Sequence, residues 1–193
     1  MVSYLLKNGA AALAILSVGA VPAAAQAIGP GIYTVVIPPN GFGSNAFLKE
    51  LVSGLNAVRS FCGGLQDEAF RVDCLAERLD KISGEIPEGT DYEEVRTVLK
   101  QTADKVERLV RDNRDTSKAR INMSLTKAPA DKTLRPLTPV KMARQSEVNR
   151  QAAQILEEAT TVLLRSAASA QERSNQYTKI ASALGSNKVL LRS

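Results

Sequence analysis

The sequence contains no histidine and no tryptophan, and it has only four phenylalanines and four tyrosines. Histidine is the side chain whose unperturbed pKa lies near neutral pH, and it is a usual ligand of zinc and copper. Its absence excludes Ser-His and Cys-His nucleophile pairs. Carboxylate-only and Ser-Lys chemistry remain open, but no motif marks them. We therefore expect no catalytic residue, no metal ligand and no cofactor in this chain.

Sequence motifs of phosphate, metal and acyl-transfer sites are also missing. There is no glycine-rich phosphate loop, Cys-x-x-Cys, His-Glu-x-x-His, EF-hand loop or Gly-x-Ser-x-Gly. The acidic pairs Glu93-Glu94 and Glu157-Glu158 are neighbours on predicted helices, so their carboxylates point in different directions. We interpret both pairs as solvated helix surface rather than as catalytic dyads.

Long apolar runs are rare, and the longest lies at the N-terminus. Lys7 precedes an Ala-rich stretch at residues 10–21, Pro22 interrupts it, and small residues follow. This order is typical of a secretory signal peptide, with cleavage after Ala25 or, as a second candidate, after Ala27. An uncleaved anchor is the alternative, but a membrane span needs about 20 apolar residues. We predict a cleaved signal peptide at 1–25, a periplasmic or secreted protein, and no transmembrane segment in the mature chain.

Cysteine is scarce, with Cys62 and Cys74 as the two examples. Export places them in a compartment where disulfides form and persist, so we predict a bond between them. In one unbroken helix they would lie roughly 18 Å apart, which is too far for a bond. Gly63-Gly64 gives the chain a place to fold back. Two buried free thiols are the alternative.

Residues 26–43 differ in composition from the rest of the mature chain. Residues 32–37, with the sequence IYTVVI, are β-branched and aromatic and are bounded by glycine and proline, which favours a short strand. A strand needs a partner, and residues 120–125, residues 188–191 or the sheet edge of another molecule are candidates. An extended arm lying on the helices is an equal alternative.

Residues 44–115 are predicted to form three helices. The first runs over residues 45–61 with Ser44 as its N-cap, and the second over 68–83 with Asp67 as its N-cap. The third opens with a capping box in which Thr90 and Glu93 satisfy N-terminal amides. Each helix has one apolar stripe at intervals of three and four residues. The stripes are Leu48, Leu51, Leu55, Val58 and Cys62; Ala69, Val72, Ala76, Leu79 and Ile82; and Val95, Leu99, Val106, Leu109 and Val110.

Residues 116–137 form a basic, Pro-containing connection between the helices. The window 118–144 holds one acid, Asp131. One interpretation is a surface for an anionic partner such as lipid head groups or a polysaccharide; the other is a solvated loop with scattered charges. Nucleic acid is excluded as a partner because no aromatic residue is interleaved for stacking and the chain is exported. The candidate contacts are Lys118, Arg120, Lys127, Lys132, Arg135, Lys141 and Arg144.

The strongest periodicity predicts one long Ala-rich helix over residues 138–185, followed by a tail at 186–193. Thr138-Pro139 would be its N-cap and first position, and Gly185 its stop. Its apolar residues follow coiled-coil spacing along one face, which we call the seam. The seam indicates that the helix mediates self-association or binds a protein partner, or alternatively that it packs inside one bundle. Because the helix is longer than the others, we expect a bend or a loss of partners at 166–174. The seam is Val148, Ala152, Ile155, Ala159, Val162, Ser166, Ala170, Arg173, Tyr177, Ile180 and Leu184.

Together these features predict a mostly α fold: a helical bundle of three shorter helices and one long C-terminal helix, with a short N-terminal strand or arm. We expect an exported protein of the bacterial envelope that acts as a non-enzymatic helical interaction or scaffold module. A small-ligand or lipid-carrier bundle is the alternative, and a histidine-free hydrolase is a weaker one.

Overall fold

The computed structural model describes residues 45–125, 128–167 and 171–192, and it is mostly α-helical. The predicted signal peptide, the residues 32–37, Ser44 and Lys127 lie outside these ranges. Short 3-10 helices at Glu68–Phe70, Met142–Arg144 and Asn187–Leu191 flank the longer elements. The α-helices are α1 (Asn45–Gly63), α2 (Arg71–Glu85), α3 (Glu93–Asp112), α4 (Gln145–Ala167) and α5 (Gln171–Ser186). The strands are β1 (Ser124–Leu125) and β2 (Ala128–Lys132).

The five helices form a ring in which each packs on the next and α5 packs on α1. Four of the neighbouring pairs are antiparallel. An odd number of helices leaves one parallel pair, which is α1 with α5. At one end Phe47 contacts Tyr92, and Tyr177 donates to the Asp91 carbonyl. Further along α1, the side-chain amide of Asn187, in the 3-10 helix that follows α5, donates to the Leu55 carbonyl at 3.0 Å.

The interior of the ring is aliphatic, as the scarcity of aromatic residues predicts. Every member of the predicted stripes on α1 and on the second helix is buried, and Leu109 is the one partly exposed member on α3. Burial of these side chains, at roughly 1.5–3 kcal/mol each, is the main favourable term for folding. The largest fully buried side chains are Tyr177, Leu55, Leu75, Leu79, Leu99, Leu137, Leu156, Leu163, Ile180 and Leu184.

The predicted disulfide has the required geometry. The sulfur atoms of Cys62 and Cys74 are 1.96 Å apart, and both residues are fully buried. The chain folds back after α1 as the two glycines predict, and the Asp67 carboxylate accepts the Ala69 N–H at 3.0 Å as the predicted cap. The bond therefore joins the end of α1 to the beginning of α2.

The C-terminal helical region is two helices rather than the predicted single one. Gly185 on α5 lies against Thr160 on α4, and Lys188 pairs with Glu157. Both contacts show that α5 runs antiparallel to α4, and the two helices are separated inside the stretch 166–174, where a bend is predicted. The helices α4 and α5 pack against each other, so each covers apolar residues of the other. The apolar pattern can therefore continue from one helix to the next without a single continuous helix.

This helical region also begins later than predicted. Thr138 and Val140 are extended, because the Thr138 N–H donates to Asp73 and the Val140 N–H donates to the Ala69 carbonyl. A 3-10 turn then leads into α4 at Gln145. Tertiary hydrogen bonds therefore override the local N-cap signal.

Two further local predictions are wrong. Glu93 accepts the Gly89 N–H, and the Thr90 hydroxyl donates to the Pro87 carbonyl, so the pair does not form the predicted capping box. Gly89 has φ +70°, and this left-handed turn brings its own amide to the carboxylate. The candidate strand at 188–191 is part of a 3-10 helix instead.

The basic connection is an ordered layer against the bundle. Ile121 and Leu137 exchange backbone hydrogen bonds, and Thr133 donates to the Met123 carbonyl. The segment 120–125, considered above as a partner for residues 32–37, thus forms β-pairs with the rest of its own connection. Leu137 and Thr133 are buried, which distinguishes this layer from the solvated loop considered above.

Candidate interaction surfaces

Buried charges on α2 hold the connection in place. The Asp73 carboxylate is 1% exposed and accepts two hydrogen bonds from Arg135, at 2.6 and 2.9 Å. It also accepts the Thr138 N–H at 2.6 Å. Burial alone would lower the pKa of Arg135, but the hydrogen bond and the negative charge of Asp73 outweigh that effect and raise it. Asp73 is therefore an anchor for the connection.

A second anchor lies one turn further along α2. Glu77 accepts hydrogen bonds from Arg78 at 2.5 and 2.6 Å and from the Leu134 N–H at 2.7 Å. The Arg78 guanidinium lies 4.4 Å from the centroid of the Phe61 ring and donates to the Lys132 carbonyl. A buried charged pair is tolerated only when its remaining hydrogen-bonding groups are satisfied, as they are here. Glu77 and Arg78 therefore hold residues 132–134 of the connection against α2.

Sequence reasoning missed both anchors. The available signal was the spacing of Asp73 and Glu77, which places them on one face beside a buried stripe. What the sequence could not show was that Arg135 and the backbone of residues 134–138 would cover that face.

The candidate anionic-partner contacts do not act as one uniform group. Arg135 pairs with Asp73 inside the protein. Lys118 donates a hydrogen bond to the Asp67 carboxylate at 2.7 Å, and this bond lowers the pKa of that carboxyl. Arg144 donates to the Asn113 side-chain oxygen. Among the candidate contacts that the structure describes, four are exposed and have no acidic side chain of the described residues within ion-pair distance: Arg120, Lys132, Lys141 and Arg144. Their binding to an anionic surface stays a prediction.

An aromatic contact closes the end of the bundle where α1 and α3 begin. The Phe47 and Tyr92 ring centroids are 4.7 Å apart, and the Tyr92 hydroxyl donates to the Gln176 side-chain oxygen at 2.8 Å. Burial raises the pKa of Tyr92 to about 12, and the nearby Tyr177 and Asp91 add to the shift.

This pKa predicts a loss of stability in alkali. Because the folded pKa lies above the ordinary tyrosine pKa of 10.0, the contribution of Tyr92 to stability is complete below pH 10 and falls as the pH rises toward 12. Absorbance at 295 nm should therefore show a tyrosine that titrates well above pH 10. Replacing Tyr92 with Phe should remove that component and flatten the fall in unfolding free energy over the same pH range. Identical titration curves for the two proteins would contradict the assignment.

A groove of about 760 Å³ runs between α3 and α4. Its floor includes Val98 from α3 and three residues of the predicted seam on α4, Ile155, Ala159 and Val162. Val162 is 43% exposed and Ile155 is partly buried. The seam therefore leaves the core in this part of α4 and lines an open surface.

Charged and polar side chains border the groove. Lys105 from α3 and Glu158 from α4 form an exposed ion pair at 3.2 Å across it. Arg165 lies further along α4, also on the border, and has no ion-pair partner among the residues that the structure describes. An apolar floor with a charged border is the usual composition of a surface that binds another protein.

Within residues 45–125, 128–167 and 171–192, no set of three or more His, Cys, Asp or Glu side chains is placed to hold a metal ion. None of the helices in those ranges has the length and apolar character needed to span a membrane. The chain matches no protein-family model, no curated protein and no solved structure.

Proposed function

We propose that this chain is an exported, non-enzymatic interaction module that binds an α-helix of a protein partner in the groove between α3 and α4. The observation that carries the proposal is the second apolar stripe of α4. The inner stripe fills the core of the bundle, whereas Ile155 and Val162 line the groove. A helix with two apolar stripes has more apolar surface than its own bundle covers.

The spacing of the floor favours a helix as the bound element. Ile155, Ala159 and Val162 are spaced by four and three residues, which is the pattern that receives the knobs of a facing helix. An amphipathic helix would place its apolar residues along this floor and its polar residues against the charged border.

The carrier alternative receives less support. A carrier needs an enclosed apolar cavity, because most of the surface of a bound lipid must leave water. Along the described helices, the inward-facing positions are filled by closely packed aliphatic side chains. The α3–α4 groove is open to solvent, which suits a macromolecular partner.

Photo-crosslinking tests the proposal. A photoreactive amino acid at position 162 should crosslink the protein to a helical segment of a partner inside the producing cell, and peptide mass spectrometry identifies that segment. The matched control carries the same group at Lys179, which is exposed on α5 and does not line the groove. Adducts at equal yield from both positions, or none from position 162, would refute the proposal.

A further inference from the structure

We propose that the helix bound in this groove is α4 of a second copy of the chain, which makes the protein a two-fold symmetric dimer. The inference rests on the proposed function, because it names the partner of the same groove. Two features of the protein support it: the course of the seam along α4 and the arrangement of charges on the border of the groove.

The course of the seam follows from helix geometry. A straight α-helix has 3.6 residues per turn, so a seam with a 3.5-residue repeat drifts around it by about 20° per heptad. At the beginning of α4 the seam residues Val148 and Ala152 are fully buried. Further along, the core instead takes Leu156 and Leu163, while the seam position Val162 reaches the groove. A partner that follows the heptad therefore lies on the second half of α4.

The charges on the border of the groove in one copy are complementary to the same charges in an antiparallel second copy. Arg165 and Glu158 lie one heptad apart on α4, about 10.5 Å along its axis. Consider an antiparallel second copy whose two-fold axis is perpendicular to α4 and passes beside it at the level of Thr161 and Val162. This operation places each Arg165 opposite the Glu158 of the other chain. The same axis brings the two Val162 side chains together. One operation thus pairs both charges and covers the exposed apolar residue, as an isologous interface requires.

The resulting interface is a familiar kind of packing. The α3 and α4 helices of both copies would form a four-helix layer, in which helices cross at about 20°. Another occupant from this chain is the apolar segment 32–37. The floor has the spacing of a helix seam rather than the every-second-residue spacing of a strand, which favours α4 over that segment.

Charge reversal provides the sharpest test. Arg165→Glu and Glu158→Arg each place like charges opposite each other in a homodimer, so we expect each variant alone to dimerise at least roughly tenfold more weakly than the original protein. A mixture of the two variants restores both pairs, and native mass spectrometry should show the heterodimer. Both side chains are exposed, and the one ion pair that is lost, Glu158 with Lys105, contributes little to stability, so both variants should fold.

Val162 and Leu164 provide a matched pair of apolar sites. They are 43% and 45% exposed on the same helix, but Leu164 does not line the groove. Val162→Glu should abolish the dimer in light scattering, whereas Leu164→Glu should leave it intact. Circular dichroism checks that both variants are helical.

Several results would overturn the inference. These are a strict monomer at high concentration, a variant mixture that associates no better than its components, or equal effects of the two glutamate substitutions. The crosslinker at position 162 shows whether only the second copy is wrong as the partner or the groove itself is wrong as an interaction site. An adduct with a helix of another protein would retain the groove as an interaction site and reject the second copy. An adduct with residues 32–37 of the same chain, or no adduct, would reject both.

Discussion

Replacing Asp73 with Ala should lower the free energy of unfolding by about 3 kcal/mol, which is a large fraction of the stability of a domain of this size. The substitution leaves the Arg135 guanidinium with only a longer ion pair, to Glu107 at 3.9 Å, and the buried Thr138 N–H without an acceptor. Breaking a buried pair from one side costs more than the pair contributes, because an uncompensated polar group remains. Urea denaturation followed at 222 nm at neutral pH measures the change.

Asp80 provides the matched control for this prediction. It lies on the same helix and also pairs with a cation, Lys100, but both side chains are about half exposed. An exposed pair contributes at most about 1 kcal/mol, so Asp80→Ala should be nearly neutral. If the two alanine variants lost the same stability, the role of Asp73 as an anchor would be wrong.

The anchor makes a second readout available. Asp73 holds the connection at Arg135 and Thr138, so its loss should release that layer before the helices unfold. Trypsin should then cleave native Asp73→Ala protein after Lys118 or Arg120 faster than it cleaves Asp80→Ala protein. A pattern in which the connection stays resistant would show that the backbone pairing of Ile121 with Leu137 suffices to hold it.

The helices could be predicted well because their signals are local. The intervals of three and four residues in the stripes of α1 and α2 identify buried faces without knowledge of what packs there. The Asp67 cap is also local, since its hydrogen bond to the Ala69 N–H spans two residues. The composition similarly indicated an aliphatic core.

The errors occurred where another residue competes with a predicted N-cap for its hydrogen bond. Thr138-Pro139 is a good helix start by itself, yet Asp73 takes the Thr138 N–H from far away in the sequence. Glu93 was expected to cap by reaching Thr90, but the left-handed Gly89 offers a nearer amide. Neither competitor can be recognised without the fold.

The seam on α4 shows a different limit. A heptad pattern states that one face is apolar but not which molecule covers it. The first half of that face became core, whereas Val162 did not. The groove could not be derived from the sequence because it depends on how α3 lies against α4. The sequence did provide the residues that make self-association testable.

Removing the disulfide should be the other large effect. Substituting both Cys62 and Cys74 with Ala should lower the free energy of unfolding by roughly 2–4 kcal/mol, because the unfolded chain regains the freedom that the closed loop removed. The change is local in the fold, since the bond joins the end of α1 to the beginning of α2. Urea denaturation of the oxidised protein and of the double variant measures the difference.

Reduction of the unaltered protein provides the control for this loss. Dithiothreitol should lower the unfolding midpoint of the original chain and leave that of the double-Ala variant unchanged. Because both cysteines are fully buried, reduction should be slow in native buffer and fast once urea opens the region. A thiol assay on denatured, unreduced protein decides the starting state. Two reactive thiols per chain would show that the bond does not form, and the expected loss of stability would then disappear.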